Sequence, residues 1–256
     1  MSYVDLHAAL SDWPYEPDKI SVRKILASDG SVRLQMRIEM GILQMEAENR
    51  PDGEKPRGCH TLVEYFQQRL HKHQERNGTT LGFGLSRDDC HELRQEASLY
   101  YRRYVAFFVL EEYGSVHRDT SHSLLLFDLC RDYALEQEDR LALEEFRPYV
   151  LMMDARAQAY QASEDGQIAS ALAHVNRGIM HVKAHYETFH HPEAIHVSEE
   201  LKILRALARE LGSQVPKDSL IVTRKALRDA IEQERFEDAA RLRDELKNRY
   251  QKDMTG

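Results

Sequence analysis

The chain has 256 residues, with 35 Lys and Arg against 43 Asp and Glu, a formal net charge of −8 and 42% hydrophobic residues. That length buries a core without staples and suits one large domain or a medium domain plus an appendage. The acidic balance excludes a generally basic nucleic-acid surface, and only 12 Gly and 7 Pro beside 30% charged residues favour a mostly helical fold over disorder.

Residues 1–19, with Trp13, Pro14 and Pro17, read as an irregular N-terminal arm. Its start, MSYVDLHAALSDW, has no basic n-region followed by an apolar h-region, so no secretory signal is expected. Ile20 to Leu26 precede Ser28-Asp29-Gly30-Ser31, and from Val32 to Ile42 apolar residues alternate with polar ones. This predicts a β-hairpin turning at Asp29-Gly30 with one buried face. Gly41 reads as a bulge, after which Leu43 and Met45 shift the phase. The loop NRPDGEKPRG closes this unit, which spans 1–58.

The next region, 59–212, reads as a helical domain. Thr61 to Gln74 is amphipathic through Leu62, Tyr65, Phe66 and Leu70. Ser86 and Asp89 resemble a capping box. A stripe of Leu93, Ala97, Tyr100, Tyr104 and Phe108 follows, with Gly114 as the expected stop. Ser121 to Leu135 is the next predicted helix. Phe146, Val150, Met153, Ala157 and Tyr160 form another stripe, with Pro148 in its first turn. Ile168, Leu172, Val175, Ile179, Val182 and Tyr186 give the clearest amphipathic helix. Val197, Leu201, Leu204, Ala208 and Leu211 make one more, closed by Gly212. Ala157, Tyr160 and Ala169 stand at the small–aromatic–small spacing of a tetratricopeptide unit, but no second copy follows at its period. The linker GSQVPK then leads to a last helical segment, 217–252. The expected fold class is mainly α (α+β). It combines a helical bundle with tetratricopeptide-like hairpin packing, a small N-terminal β-hairpin unit and a C-terminal antiparallel helical hairpin.

In that last segment Leu220, Leu227 and Ile231 share one helix face, and Ala239, Leu242 and Leu246 share a face of a second helix. Phe236 is placed to plug the top of the hairpin, and the small pair Ala239-Ala240 lets the helices approach. The surface carries Arg228, Asp229, Arg241, Arg243, Asp244 and Glu245, charges of both signs that suit a mixed-charge partner better than a phosphate backbone. The sequence LRDAIEQERFEDAARLRDELKNR, through Leu227, Ala230, Ile231, Phe236-Glu237, Ala239-Ala240, Leu242 and Arg243 to Leu246, resembles the UVR motif. That motif is known from the B and C subunits of the bacterial excision-repair nuclease, from the activator of a bacterial protein-arginine kinase and from some Clp-type unfoldases. Arg249 stands where the family carries its last apolar position, with Tyr250 beside it. The stretch RIEMGILQMEAENRPDGE also resembles a segment of bacterial proteins that end in this motif.

Chemistry is sparser. His174, His181 and His185 fall in one narrow stripe, near His190, His191 and His196, and could seat zinc with Glu187 or Glu193. The competing reading is histidines facing solvent or a partner beside the apolar stripe. Cys59-His60 and Cys90-His91 are pairs without a second half, and three scattered cysteines point to a reducing compartment rather than a disulfide framework. Tyr100, Tyr101, Tyr104, Phe107, Phe108 and Tyr113 flank Arg102 and Arg103, as a stacking platform for single-stranded nucleic acid would, but their spacing follows the helical core stripe. Phosphate-loop, GxSxG and HExxH patterns are missing. No run reaches the ~20 apolar residues of a membrane span.

The sequence therefore predicts a cytoplasmic, bacterial, non-catalytic adaptor with no cofactor. It docks a partner through Leu227, Ile231, Phe236, Glu237, Ala240, Arg243 and Asp244. By resemblance the partner is another UVR-bearing protein or a second copy, in DNA repair or beside a Clp-type unfoldase. The acidic balance disfavours direct DNA binding. The alternative is an enzyme or ligand-binding module in residues 1–212 with the hairpin as tether.

Overall fold

A computed structural model describes residues 6–189, 192–214, 223, 226–227, 230–231 and 233–253, the last six of these by their backbone alone. Leu220, Arg228, Asp229, His190, His191 and the linker residues 215–217 lie outside the described residues. After a short helix α1, His7–Leu10, the chain forms β1, Val22–Leu26, β2, Val32–Ile38, and β3, Gly41–Glu46, an antiparallel sheet in the order β1-β2-β3. The turn at Asp29-Gly30 joins β1 to β2, with Gly30 at φ +80° and the Asp29 carboxylate accepting from the Ser31 amide at 2.9 Å. The strand after it does not run on through a bulge at Gly41. It reverses at Glu39-Met40, and Gly41 opens β3 opposite Ile38. The reversal itself produces the phase shift. Even-numbered residues of β2 and odd-numbered residues of β3 share a face, as Leu34 opposite Met45 and Met36 opposite Leu43 show. That face is buried at Leu34 and Met45, half-buried at Met36 and Leu43, and exposed at its ends, Val32 and Ile38. The other carries Arg23, Gln35 and Gln44 in one hydrogen-bonded row at 2.9 Å per step.

The helices begin where polar side chains can cap them. The Thr61 hydroxyl accepts from the Glu64 amide to start α2, Leu62–Asn77, and Ser86 with Asp89 forms a complete capping box at the head of α3, Arg87–Val109. Two expected boundaries move. Gly114 does not stop α3. The chain turns at Glu111, at φ +60°, and Gly114 lies in the first turn of α4, Tyr113–Tyr133, eight residues earlier than the predicted start at Ser121. The amide of Glu112 donates to the Phe107 carbonyl at 3.0 Å and that of Glu111 to Phe108 at 3.2 Å. This is the closure for which glycine is the usual choice. Gly166 makes the same closure between α6, Arg147–Glu164, and α7, Ile168–Thr188. The last predicted stripe also divides. Val197 ends the short α8, Ala194–Val197, and is exposed, while α9, Glu199–Gln214, runs two residues past Gly212.

α3 packs on α4, α4 on α6, α6 on α7, and α9 on both α7 and α6; α5, Gln137–Leu141, lies against α4. One apolar cluster joins Leu34 and Met45 of the sheet to Tyr104 and Phe107 of α3, Met152 and Met153 of α6, Val175 and Val182 of α7, and Leu201 and Leu204 of α9. A second joins Leu62 and Phe66 of α2 to Leu93, Leu126, Phe127 and Cys130. The aromatic stretch of α3 is thus core, with Tyr101 left exposed. The tetratricopeptide spacing does not set the α6–α7 contact, because Ala169 is exposed. Closest approach comes instead at Ala155 and Gly178, where a Cβ added to Gly178 would stand 2.4 Å from the Ala155 Cβ.

Gly178→Ala should therefore overpack this crossing and cost about 1–3 kcal/mol, read as a lower midpoint in chemical denaturation. Adding Ala155→Gly should recover much of that loss. Equal stability of Gly178→Ala and the parent would refute the close approach.

Candidate functional site

The C-terminal hairpin turns at Glu234, at φ +55°. The amide of Arg235 donates to the Ala230 carbonyl at 2.8 Å and that of Glu234 to Ile231 at 3.1 Å, the same closure as at Glu111 and Gly166. The second helix, α10, is Phe236–Asp253. Small and aliphatic side chains hold the unit: Ala230, Ala239 and Leu246 are buried, and Leu227 and Leu242 are partly so.

Of the predicted docking residues, Ile231, Phe236, Glu237, Ala240, Arg243 and Asp244 are exposed, and Leu227 is the one drawn inward. The plug expected of Phe236 is not made. Its side chain is 69% exposed, and Ile231 is 54% exposed. The closure occupies the tip with backbone hydrogen bonds, so no socket remains there for a ring. Of the small pair, Ala239 is buried and Ala240 exposed. The charges pair locally: Arg243 donates to Asp244 at 2.9 Å, Arg235 to Asp238 at 2.8 Å and Arg241 to Asp238 at 3.2 Å.

Sequence reasoning missed a buried polar seam along α3. Glu96, Tyr100 and Arg103 share one face, and all three are buried. The Arg103 guanidinium donates to both Asp119 oxygens, at 2.7 and 2.9 Å, and to the carbonyls of Glu46 and Asn49, at 3.0 and 2.7 Å. Arg118 adds bonds to Asp119, Glu48 and the Ala47 carbonyl, each at 3.0 Å. Glu96 accepts from the amide of Leu62, at 2.9 Å, so it caps α2 from another helix, and its carboxylate also meets His122 at 3.0 Å and Arg50 at 3.4 Å. The His122 ring stacks on Tyr100 at 3.8 Å, and burial pushes the Tyr100 phenol up to about 12. One signal was visible: Arg103 interrupts an apolar stripe, whereas Arg102 falls on the exposed face.

Beside this seam a cleft of about 580 Å³ opens between the sheet and the start of α4. Val32, Ala47 and Phe107 line it below charged residues that neutralise one another, Lys24 with Glu112 and Arg33 with Asp29 and Glu46.

The histidine stripe does not converge. His174 and His185 stand eleven residues apart, about 16 Å along the helix axis, too far to share one ion. His181 is exposed, while His185 is half-buried 3.6 Å from Glu144, itself held by Arg147 at 2.6 Å. Among the described residues no group of three or more His, Cys, Asp or Glu side chains is placed to hold a metal ion. Cys90 and Cys130 are buried, and the neighbouring Cys90 thiol together with burial pushes the Cys130 thiol up.

The family model described as the UvrB/uvrC motif matches residues 217–251. No curated protein and no solved structure matches the chain. The motif is one known in DNA-repair and Clp-associated proteins, in keeping with an interaction role. Among the described residues no helix is long and apolar enough to cross a membrane.

Two predictions follow from the buried groups. Arg103→Ala leaves the buried Asp119 carboxylate with Arg118 alone and should cost about 3–5 kcal/mol, whereas the double change Arg103→Met with Asp119→Leu should cost far less, because it removes both buried charges. Equal losses in denaturant melts would contradict this. Second, burial holds His185 below the ordinary histidine value of 6.5, with Arg147 reinforcing and Glu144 opposing, and burial with Arg177 does the same to His174. The unfolded chain therefore binds protons more readily at both positions. Their stabilisation is fully present above pH 6.5 and falls away as pH drops toward the folded-state values. The melting temperature should decline between neutral pH and about pH 5.5, and the double variant His174→Gln, His185→Gln should decline less steeply.

Proposed function

We propose that this chain is a non-catalytic adaptor that docks a partner protein through its C-terminal hairpin. The observation that carries the reading is the pair Ile231 and Phe236. They stand exposed at the tip of a unit whose Ala230, Ala239 and Leu246 are buried. An exposed aromatic beside an aliphatic residue is the usual anchor of a protein interface. The surrounding charges, paired in both signs, suit a protein of mixed charge rather than a phosphate backbone. The resemblance to the UVR motif supports another UVR-bearing protein as the partner, in excision repair or beside a Clp-type unfoldase, in the cytoplasm of a bacterium. In this reading residues 6–214 fold as a body of their own and the hairpin is an appendage.

The cleft between the sheet and α4 favours a second reading, a ligand-binding module in the larger body with the hairpin as its tether.

Purified full-length chain titrated with UVR hairpin peptides, and with itself, separates the two. Phe236→Ala should weaken binding by about 2 kcal/mol or more, with helical circular dichroism unchanged, since the ring is exposed. Arg243→Glu reverses one rim charge and should lower the association rate. If both variants bind as the parent does, the hairpin is not the docking element.

A further inference from the structure

α7 and α9 pack side by side and leave a groove of about 510 Å³ between them. Ile179 of α7 and Ala208 of α9 give it an apolar floor, and Lys202, Arg205 and Arg209 rim it. On α9 these three cations stand at i, i+3 and i+7, one stripe beside the buried Leu201, Leu204 and Leu211. Lys202 is paired with Glu199 at 2.6 Å. Arg205 and Arg209 have no carboxylate partner among the described residues. Their guanidinium groups donate to the carbonyls of Ile195, at 3.3 Å, and Arg205, at 3.4 Å. The groove is therefore apolar below and positive above, and two of its charges are unmatched.

The hairpin tip carries the converse. Ile231 and Phe236 are exposed there. Glu234 and Glu237 flank the ring in sequence, both exposed and without an ion pair among the described residues, while Arg235 is committed to Asp238 at 2.8 Å. An aromatic anchor between two unmatched carboxylates complements an apolar floor beneath two unmatched guanidinium groups. The chain's own groove does not cover its own tip, since both apolar residues stand in solvent. Two copies can exchange tips reciprocally, and such an exchange closes on a two-fold axis with both grooves filled.

We propose that the groove between α7 and α9 is the docking site for the hairpin tip of a second copy of this chain. Phe236 enters over Ile179 and Ala208, and Glu234 and Glu237 meet Arg205 and Arg209. This rests on the hairpin's being a docking element and names the surface it docks on.

The test is analytical ultracentrifugation of the full-length chain from about 1 to 100 µM. The parent should form a dimer that weakens as salt is raised, because the charges at the rim are screened. Phe236→Ala, and separately the pair Arg205→Gln with Arg209→Glu, should each raise the dissociation constant by about tenfold or more, with melting curves like the parent's. Adding Glu237→Arg to the chain carrying Arg209→Glu should recover part of the loss. The decisive sample mixes the Phe236→Ala chain with the Arg205→Gln, Arg209→Glu chain. Each alone is defective, but the tip of the second fits the groove of the first, so a heterodimer should form. Failure of that mixture to associate would overturn the proposal. So would a parent that stays monomeric, whether its groove takes the chain's own tip or a foreign acidic helix; the docking reading would then pass to other partners. Parent-strength association of the groove variant, with Phe236→Ala still defective, would also overturn it and leave the docking reading standing. Parent-strength association of Phe236→Ala would sink both.

Discussion

The bidentate pair between Arg103 and Asp119 fixes how the sheet meets the helices. Arg103 is 1% exposed and Asp119 fully buried, so neither charge is solvated by water. Attraction alone does not offset that desolvation. Hydrogens beyond the pair must also be used, and those on Nη1 go to the carbonyls of Glu46 and Asn49. Those carbonyls belong to the end of β3 and the turn after it, where Asn49 takes φ +58°. The sheet is thereby held by its exit loop, and Leu34 and Met45 are brought down onto Tyr104 and Phe107 of the same helix.

Glu96 makes the matching junction at the other end of the seam. It satisfies the amides at the start of α2, a task usually left to a residue beside the helix in sequence. With His122 and Arg50 on the same carboxylate, α2, α3, α4 and the exit loop meet on one group. Polar satisfaction, more than apolar contact, sets the register between these elements. Apolar packing is stricter between α6 and α7, where Ala155 and Gly178 leave no room for a methyl group.

The hairpin at the chain's end is built on a different balance. Among the described residues its buried side chains are mostly small, and Phe236 is exposed. Such a unit gains little from its own burial and keeps its most apolar surface for something else. The backbone closure at Glu234 leaves the ring exposed, and local ion pairs set charges of both signs side by side on the second helix.

Period and capping were legible in the sequence because they are local. The alternation through β2, the capping box at Ser86, the turn at Asp29-Gly30 and the Pro148 start of α6 all stand where the residues place them. So does the UVR resemblance, which depends on a run of neighbouring residues. Boundaries failed where a residue did another's work. Glu111 takes the left-handed turn that glycine would be expected to make, which moves the start of α4. The two-residue reversal at Glu39-Met40 mimics a bulge, because both shift an alternating pattern by one. The site was legible as a segment but not as a surface: which face of Phe236 meets solvent depends on how the turn's amides are satisfied. The partners of Arg103 and Glu96 lie 16 and 34 residues away. A periodic pattern carries no record of such pairings. Only the folded chain decides them, because the cost of an unpaired buried charge is felt once the helices have packed around it.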